Sequence, residues 1–128
     1  MTAVGTVVPM HGFSVLLCDP AGPRIDGKQG ALDVIGEAWG LQADFVVIPV
    51  ARLDESFFTL SSGVAGEVVQ KFVNYKMPVA IVGSIAAQLR GSSALRAFVH
   101  ESNNGSQVWF MEDHGQLAAR LARHTSTV

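Results

Sequence analysis

Apolar runs of strand length alternate along this chain with stretches in which apolar side chains recur every three or four positions. The first run, Val4 to Val8, meets Pro9-Met10-His11-Gly12 and resumes as Phe13 to Cys18, the pattern of a β-hairpin with a short turn. Pro9 lacks a backbone donor and so points to an edge strand. Asp19-Pro20-Ala21-Gly22-Pro23 breaks the run, and after Gly27 the residues Leu32, Ile35 and Trp39 follow a helical period as far as Gly40. Phe45-Val46-Val47-Ile48-Pro49-Val50 is continuously apolar, as expected of a strand covered on both faces.

A second helix carries Val64, Val68, Val69, Phe72 and Tyr75 on one stripe and Glu67, Gln70, Lys71 and Asn74 on the other side. Pro78 to Gly83 is a second buried strand, with proline tolerated at its first residue. Ser84 to Gly91 forms a connection with room for a turn of helix. The next helix starts at about Ser92, packs Leu95, Phe98 and Val99, and stops at Asn103-Asn104-Gly105. Val108 to Met111 is the last strand, and a helix from Asp113 turns Leu117 and Leu121 inward before a frayed tail, His124 to Val128. The order β-β-α-β-α-β-α-β-α predicts an α/β fold: a mixed, mostly parallel five-stranded sheet with about four helices, one antiparallel strand coming from the hairpin.

Composition narrows the function classes. A chain of 128 residues, 48% of them apolar, matches one domain spanning 1–128 with a two-sided core. The formal charge of −2, with Lys and Arg scattered, gives no footprint for nucleic acid or for an anionic membrane surface. No apolar run approaches the roughly 20 residues of a membrane span, and the expected location is cytoplasmic. Cys18, the single cysteine, follows Val15-Leu16-Leu17 and reads as an inert thiol at a strand position. His11, His100, His114 and His124 show no metal-ligand spacing, so neither a metal nor a cofactor is expected.

The most informative stretch is Phe57-Phe58-Thr59-Leu60-Ser61-Ser62-Gly63-Val64-Ala65-Gly66-Glu67, where a strand's trailing loop becomes a helix. One reading makes Ser61 or Ser62 a cap for the helix N–H groups. The other has one serine cap while its neighbour, with the Gly63 N–H, contacts a phosphate, a carboxylate or a kinase. Ligands of open α/β sheets sit beyond the carboxyl ends of the strands, which here carry Arg52, Asp54 and Glu55, then Ser84, Gln88 and Arg90, then Glu112, Asp113 and His114. Arg52 could clamp an anion, or pair with Asp54 or Glu55 at the surface. Two enzyme templates fail: Ser61 to Glu67 lacks the lysine of a nucleotide-binding P-loop, and Ser62 lacks the preceding glycine of a nucleophile elbow.

The element order and Ser61-Ser62-Gly63 together resemble the STAS domains, whose simplest members are anti-sigma-factor antagonists. There the helix after the third strand opens with an Asp-Ser-Ser-Gly motif whose first serine is phosphorylated to control partner binding. The resemblance assigns that position to Ser61, with Leu60 standing where the aspartate would be. Nearly the whole chain also resembles an uncharacterised bacterial family described only as domain of unknown function 4180. Arg52-Leu53, Phe57-Phe58, Gly63-Val64-Ala65-Gly66-Glu67, Gln70 to Tyr75, Ala80-Ile81-Val82-Gly83 and Glu101-Ser102-Asn103 carry this second likeness. Asn74, Glu101 and Asn103 fall near helix ends, where they read as caps and interhelix bonds.

The leading expectation is a non-enzymatic domain that binds a protein partner, a second copy of itself or a small anionic ligand around Ser61. The alternative is a ligand-binding protein or small enzyme built on Arg52 and Ser62. A deep pocket lined by Arg52, Ser62 and Ser84 would favour the ligand, and a flat apolar face at Phe57 and Phe58 would favour a protein partner or a homodimer.

Overall fold

The computed structural model describes residues 5–126, with side chains through Arg123. The chain forms β1 (Thr6–Met10), β2 (Phe13–Leu17), α1 (Lys28–Gly40) and β3 (Phe45–Pro49), followed by three short 3₁₀ turns at Val50–Arg52, Glu55–Phe58 and Leu60–Ser62. Then come α2 (Val64–Asn74), β4 (Val79–Val82), α3 (Ala86–Arg90), α4 (Ser93–Asn104), β5 (Val108–Met111) and α5 (His114–Ser126). The five strands lie in the order β1-β2-β3-β4-β5; β1 pairs antiparallel with β2 and the others pair in parallel. Pro9 sits on the edge strand, and His11 and Gly12 take left-handed conformations at the hairpin turn.

Strand alternation divides the core into two layers. Leu16, Val46, Ile48, Val79, Ile81, Val108 and Phe110 face α1, α2 and the α3–α4 pair, with Ile35, Val68 and Phe72 pressed against them. Val15, Phe45, Val47, Ala80, Val82, Trp109 and Met111 face the other way and meet Leu117 and Leu121 of α5. Each fully buried side chain of this size contributes roughly 1.5–3 kcal/mol. Because the strand order is sequential, crossovers of one hand put every connecting helix on the same face. Among the described residues, α5, which follows the last strand, is the one helix that covers the opposite face. All four parallel strands therefore deliver their carboxyl ends to one rim.

Several sequence expectations are corrected. Helix α1 buries Ala31, Val34, Ile35 and Ala38, while Trp39 is 52% exposed, because small alanines rather than the tryptophan form the packing face. Tyr75 lies past the end of α2 and is exposed, meeting Trp39 edge to face at 5.2 Å between ring centroids. Leu41 and Val73 are also large apolar residues left exposed. The connection after β4 contains a full short helix, α3, so the described residues form five α-helices rather than about four. The expected tail is helical through Ser126; its last residues, 127 and 128, and Val4 of the first expected strand lie outside the described residues.

Cys18 immediately follows β2, and burial pushes its thiol up to about 12, so it is a packing residue rather than a nucleophile. Gly83 leaves β4 with φ at 142°, and a Cβ there would stand 2.8 Å from Val50 Cγ2. Gly83→Ala should cost at least about 2 kcal/mol in urea unfolding, combining backbone strain with a clash. A cost within experimental error would show that this junction has room to relax.

Candidate functional site

The rim is organised by Arg52. The 3₁₀ turn after β3 swings this side chain inward until it is only 7% exposed, and Nε donates to the Pro23 carbonyl at 2.7 Å while Nη1 donates to the Asp19 carbonyl at 3.0 Å. The backbone adds Ile25 N–H to Arg52 O at 2.7 Å and Asp54 N–H to Ile25 O at 3.1 Å. Nε and Nη1 of Arg52 are thus committed to backbone carbonyls rather than to a surface pair with Asp54 or Glu55. Its guanidinium fastens the loop after β2 onto the connection after β3.

Asp54 caps the second 3₁₀ turn. Its Oδ2 accepts from the Ser56 hydroxyl at 2.6 Å and from the Ser56 N–H at 3.1 Å. These two bonds, the hydroxyl's foremost, hold the Asp54 carboxyl below its ordinary value, and Arg24 acts in the same direction. Phe57 is fully buried and Phe58 half-buried against the first core layer, their rings edge to face at 5.3 Å. The flat apolar face that would have favoured a protein partner there is thus mostly consumed by the fold.

The two serines of the junction divide its tasks. Ser62 Oγ donates to the Ser56 carbonyl at 2.6 Å and accepts from the Val64 N–H at 3.2 Å, tying the second 3₁₀ turn to the start of α2. Gly63 takes the left-handed conformation at φ 83°, and its N–H donates to the Leu60 carbonyl at 3.1 Å, so that donor is committed within the turn. Leu60 packs half-buried on the core. Ser61 is exposed and lines an open groove of about 620 Å³ between the 3₁₀ turns and the α3–α4 pair. Phe58, Leu60, Ala87 and Ala94 supply its apolar surface, and Glu55, Thr59, Gln88 and Ser92 supply polar groups.

The other candidates fall apart in space. Ser84 and Arg90 are exposed at either end of α3, and neither they, Arg52 nor Ser62 line this groove. Asp113 Oδ1 accepts from the Gln116 N–H at 2.9 Å and so caps α5 instead of orienting His114 as a base. Asn74 pairs along α2 with Gln70 at 2.7 Å. Asn103, read from the sequence as a cap or interhelix bond, instead accepts from the Phe110 N–H at 2.6 Å and reaches a second, smaller cavity at the ends of β4 and β5. Gln88 alone of the groove's α3–α4 wall was visible in the sequence as a rim residue; the alanines carried no chemical signal. Among the described residues no group of three or more His, Cys, Asp or Glu could hold a metal, and no helix is long and apolar enough to cross a membrane.

A sequential, mostly parallel sheet with its strand ends gathered beside an open groove defines a class of α/β domain without an assigned chemistry. The family model described as Domain of unknown function (DUF4180) matches residues 10–121, and the chain belongs to that family. Comparison with curated proteins and with solved structures finds no match.

Because Asp54 titrates below its ordinary value, its share of stability is complete above the unfolded-chain value of roughly 3.9 and is lost as pH falls through the lower folded value. NMR titration should place the Asp54 carboxyl below the ordinary aspartate value, and Ser56→Ala should raise it towards that value. An unchanged midpoint in Ser56→Ala would remove the hydroxyl as the cause.

Proposed function

We propose that this domain acts by binding rather than by catalysis: a STAS-like interaction domain that takes a segment of a protein partner into the groove beside the 3₁₀ turns, with Ser61 as its point of control. The observation that carries this reading is the contrast between the two serines. Ser62 is spent on the junction, whereas Ser61 stands exposed on the groove wall, at the position the STAS resemblance assigns to the regulated residue. An apolar floor with hydroxyl and amide edges suits an extended peptide segment, which needs both side-chain burial and hydrogen bonds.

A phosphate on Ser61 would add about two negative charges at this wall. Glu55 lines the same groove, so the modification would concentrate like charge there and repel an acidic or apolar partner. The commitment of Arg52 to backbone carbonyls counts against a built-in anion site, and the capping duty of Asp113 counts against a His114-based hydrolase.

Affinity capture from the cells that make the protein, read by mass spectrometry, tests this. Wild type should retain a partner that Ser61→Asp and Ala94→Arg each weaken by at least about tenfold, while Trp39→Ser at the far end of the sheet keeps it. Failure of wild type to retain any partner, retention through both groove substitutions, or loss with Trp39→Ser alone would contradict the assignment.

A further inference from the structure

A second cavity, of about 240 Å³, opens beyond the carboxyl ends of β4 and β5 and shares no lining residue with the groove at Ser61. Ile81, Leu89, Val99 and Phe110 give it apolar walls, and Asn103, Glu112 and Gln116 are its polar side chains.

The chemistry these polar groups offer follows from the sheet edge. β5 is an outer strand, joined to β4 by bonds such as Val79 N–H to Gln107 O and Gly83 N–H to Met111 O, both 2.9 Å. Residues 107 and 111 thus face β4, and alternation turns the N–H groups of Phe110 and Glu112 away from it. Both are met by side-chain amide oxygens: Asn103 Oδ1 accepts from Phe110 at 2.6 Å, and Gln116 Oε1 accepts from Glu112 at 3.1 Å. Flipping either amide would set donor against donor, so both orientations are fixed by their partners. With each oxygen already accepting a backbone N–H, the NH₂ is the donor that each carboxamide can offer the cavity it lines.

Two fixed donors beside apolar walls select an acceptor on a compact apolar body. A carboxylate would meet the like charge of Glu112, whereas a neutral carbonyl would not. The cavity lies below the size usual for larger ligands, which limits the occupant to a small molecule. We propose that this cavity binds a small, uncharged carbonyl compound, a ketone or amide, whose oxygen accepts from Asn103 Nδ2 and Gln116 Nε2.

Titration of ¹⁵N-labelled protein with acetophenone, ethylbenzene and benzoate separates the contributions. Low-millimolar acetophenone should shift the side-chain NH₂ signals of Asn103 and Gln116 and bind at least about fivefold more tightly than ethylbenzene, which keeps the ring but lacks the oxygen, and than benzoate, which is charged. Asn103→Asp and Gln116→Glu each keep an oxygen for the β5 N–H group and remove the donor. Each should weaken acetophenone about fivefold while leaving ethylbenzene unchanged. Equal affinity for acetophenone and ethylbenzene, tighter binding of benzoate, or no movement of the two NH₂ signals would overturn the proposal. The comparison of probes on wild type decides the matter even if a substituted chain fails to fold.

Discussion

Arg52 joins two loops that would otherwise leave the sheet independently. Its guanidinium holds the carbonyls of Asp19 and Pro23, and a parallel bridge between Ile25 and Leu53 runs alongside. Hydrogen bonds from a charged donor contribute roughly 1.5–3 kcal/mol each, and a buried carbonyl left without one costs a comparable amount. The approach is close: a Cβ on Gly22 would fall 2.6 Å from Arg52 Nη1, so the guanidinium would have to shift to admit one. From this clasp the backbone passes to Asp54, which caps the next turn through Ser56, whose carbonyl in turn receives the Ser62 hydroxyl. The groove wall that presents Ser61 is therefore held by a chain of bonds that begins at Arg52.

The sheet supplies the frame for that chain. Its two-layer core explains why the strands could be read directly: Phe45 to Ile48 and Val79 to Val82 are buried on both faces and leave an unbroken apolar signature. The hairpin was equally legible from Pro9 and Gly12, whose backbone constraints are local. Helix faces were less secure. In α1 the packing surface is made of Ala31 and Ala38 beside Val34 and Ile35, and a count of large apolar residues selected Trp39 instead. Close helix packing rewards small side chains that a hydrophobic pattern scarcely registers.

The candidate residues could be named from the sequence, but the bonds each one makes could not. Ser61-Ser62-Gly63 stood out as a helix start, yet nothing local distinguishes a serine that ties two turns together from one that faces solvent. That distinction depends on the Ser56 carbonyl arriving from the preceding turn. Arg52 posed the same difficulty, since its carbonyl partners lie 29 and 33 positions earlier in the chain. Gln116 was passed over although its bond is local: its oxygen answers the Glu112 N–H four positions earlier, while its own N–H donates to Asp113, as in a capping box.

Native-state amide hydrogen exchange on wild type and Arg52→Met tests most directly whether the clasp organises the rim. The substitution keeps an apolar stem and removes every donor. The account predicts that the N–H groups of Ile25, Asp54, Phe57 and Ser62 lose protection together, by at least about tenfold, while Val79 and Gly83 in the β4–β5 pairing keep theirs. Unchanged protection at the four rim amides, or an equal loss across both groups, would contradict it.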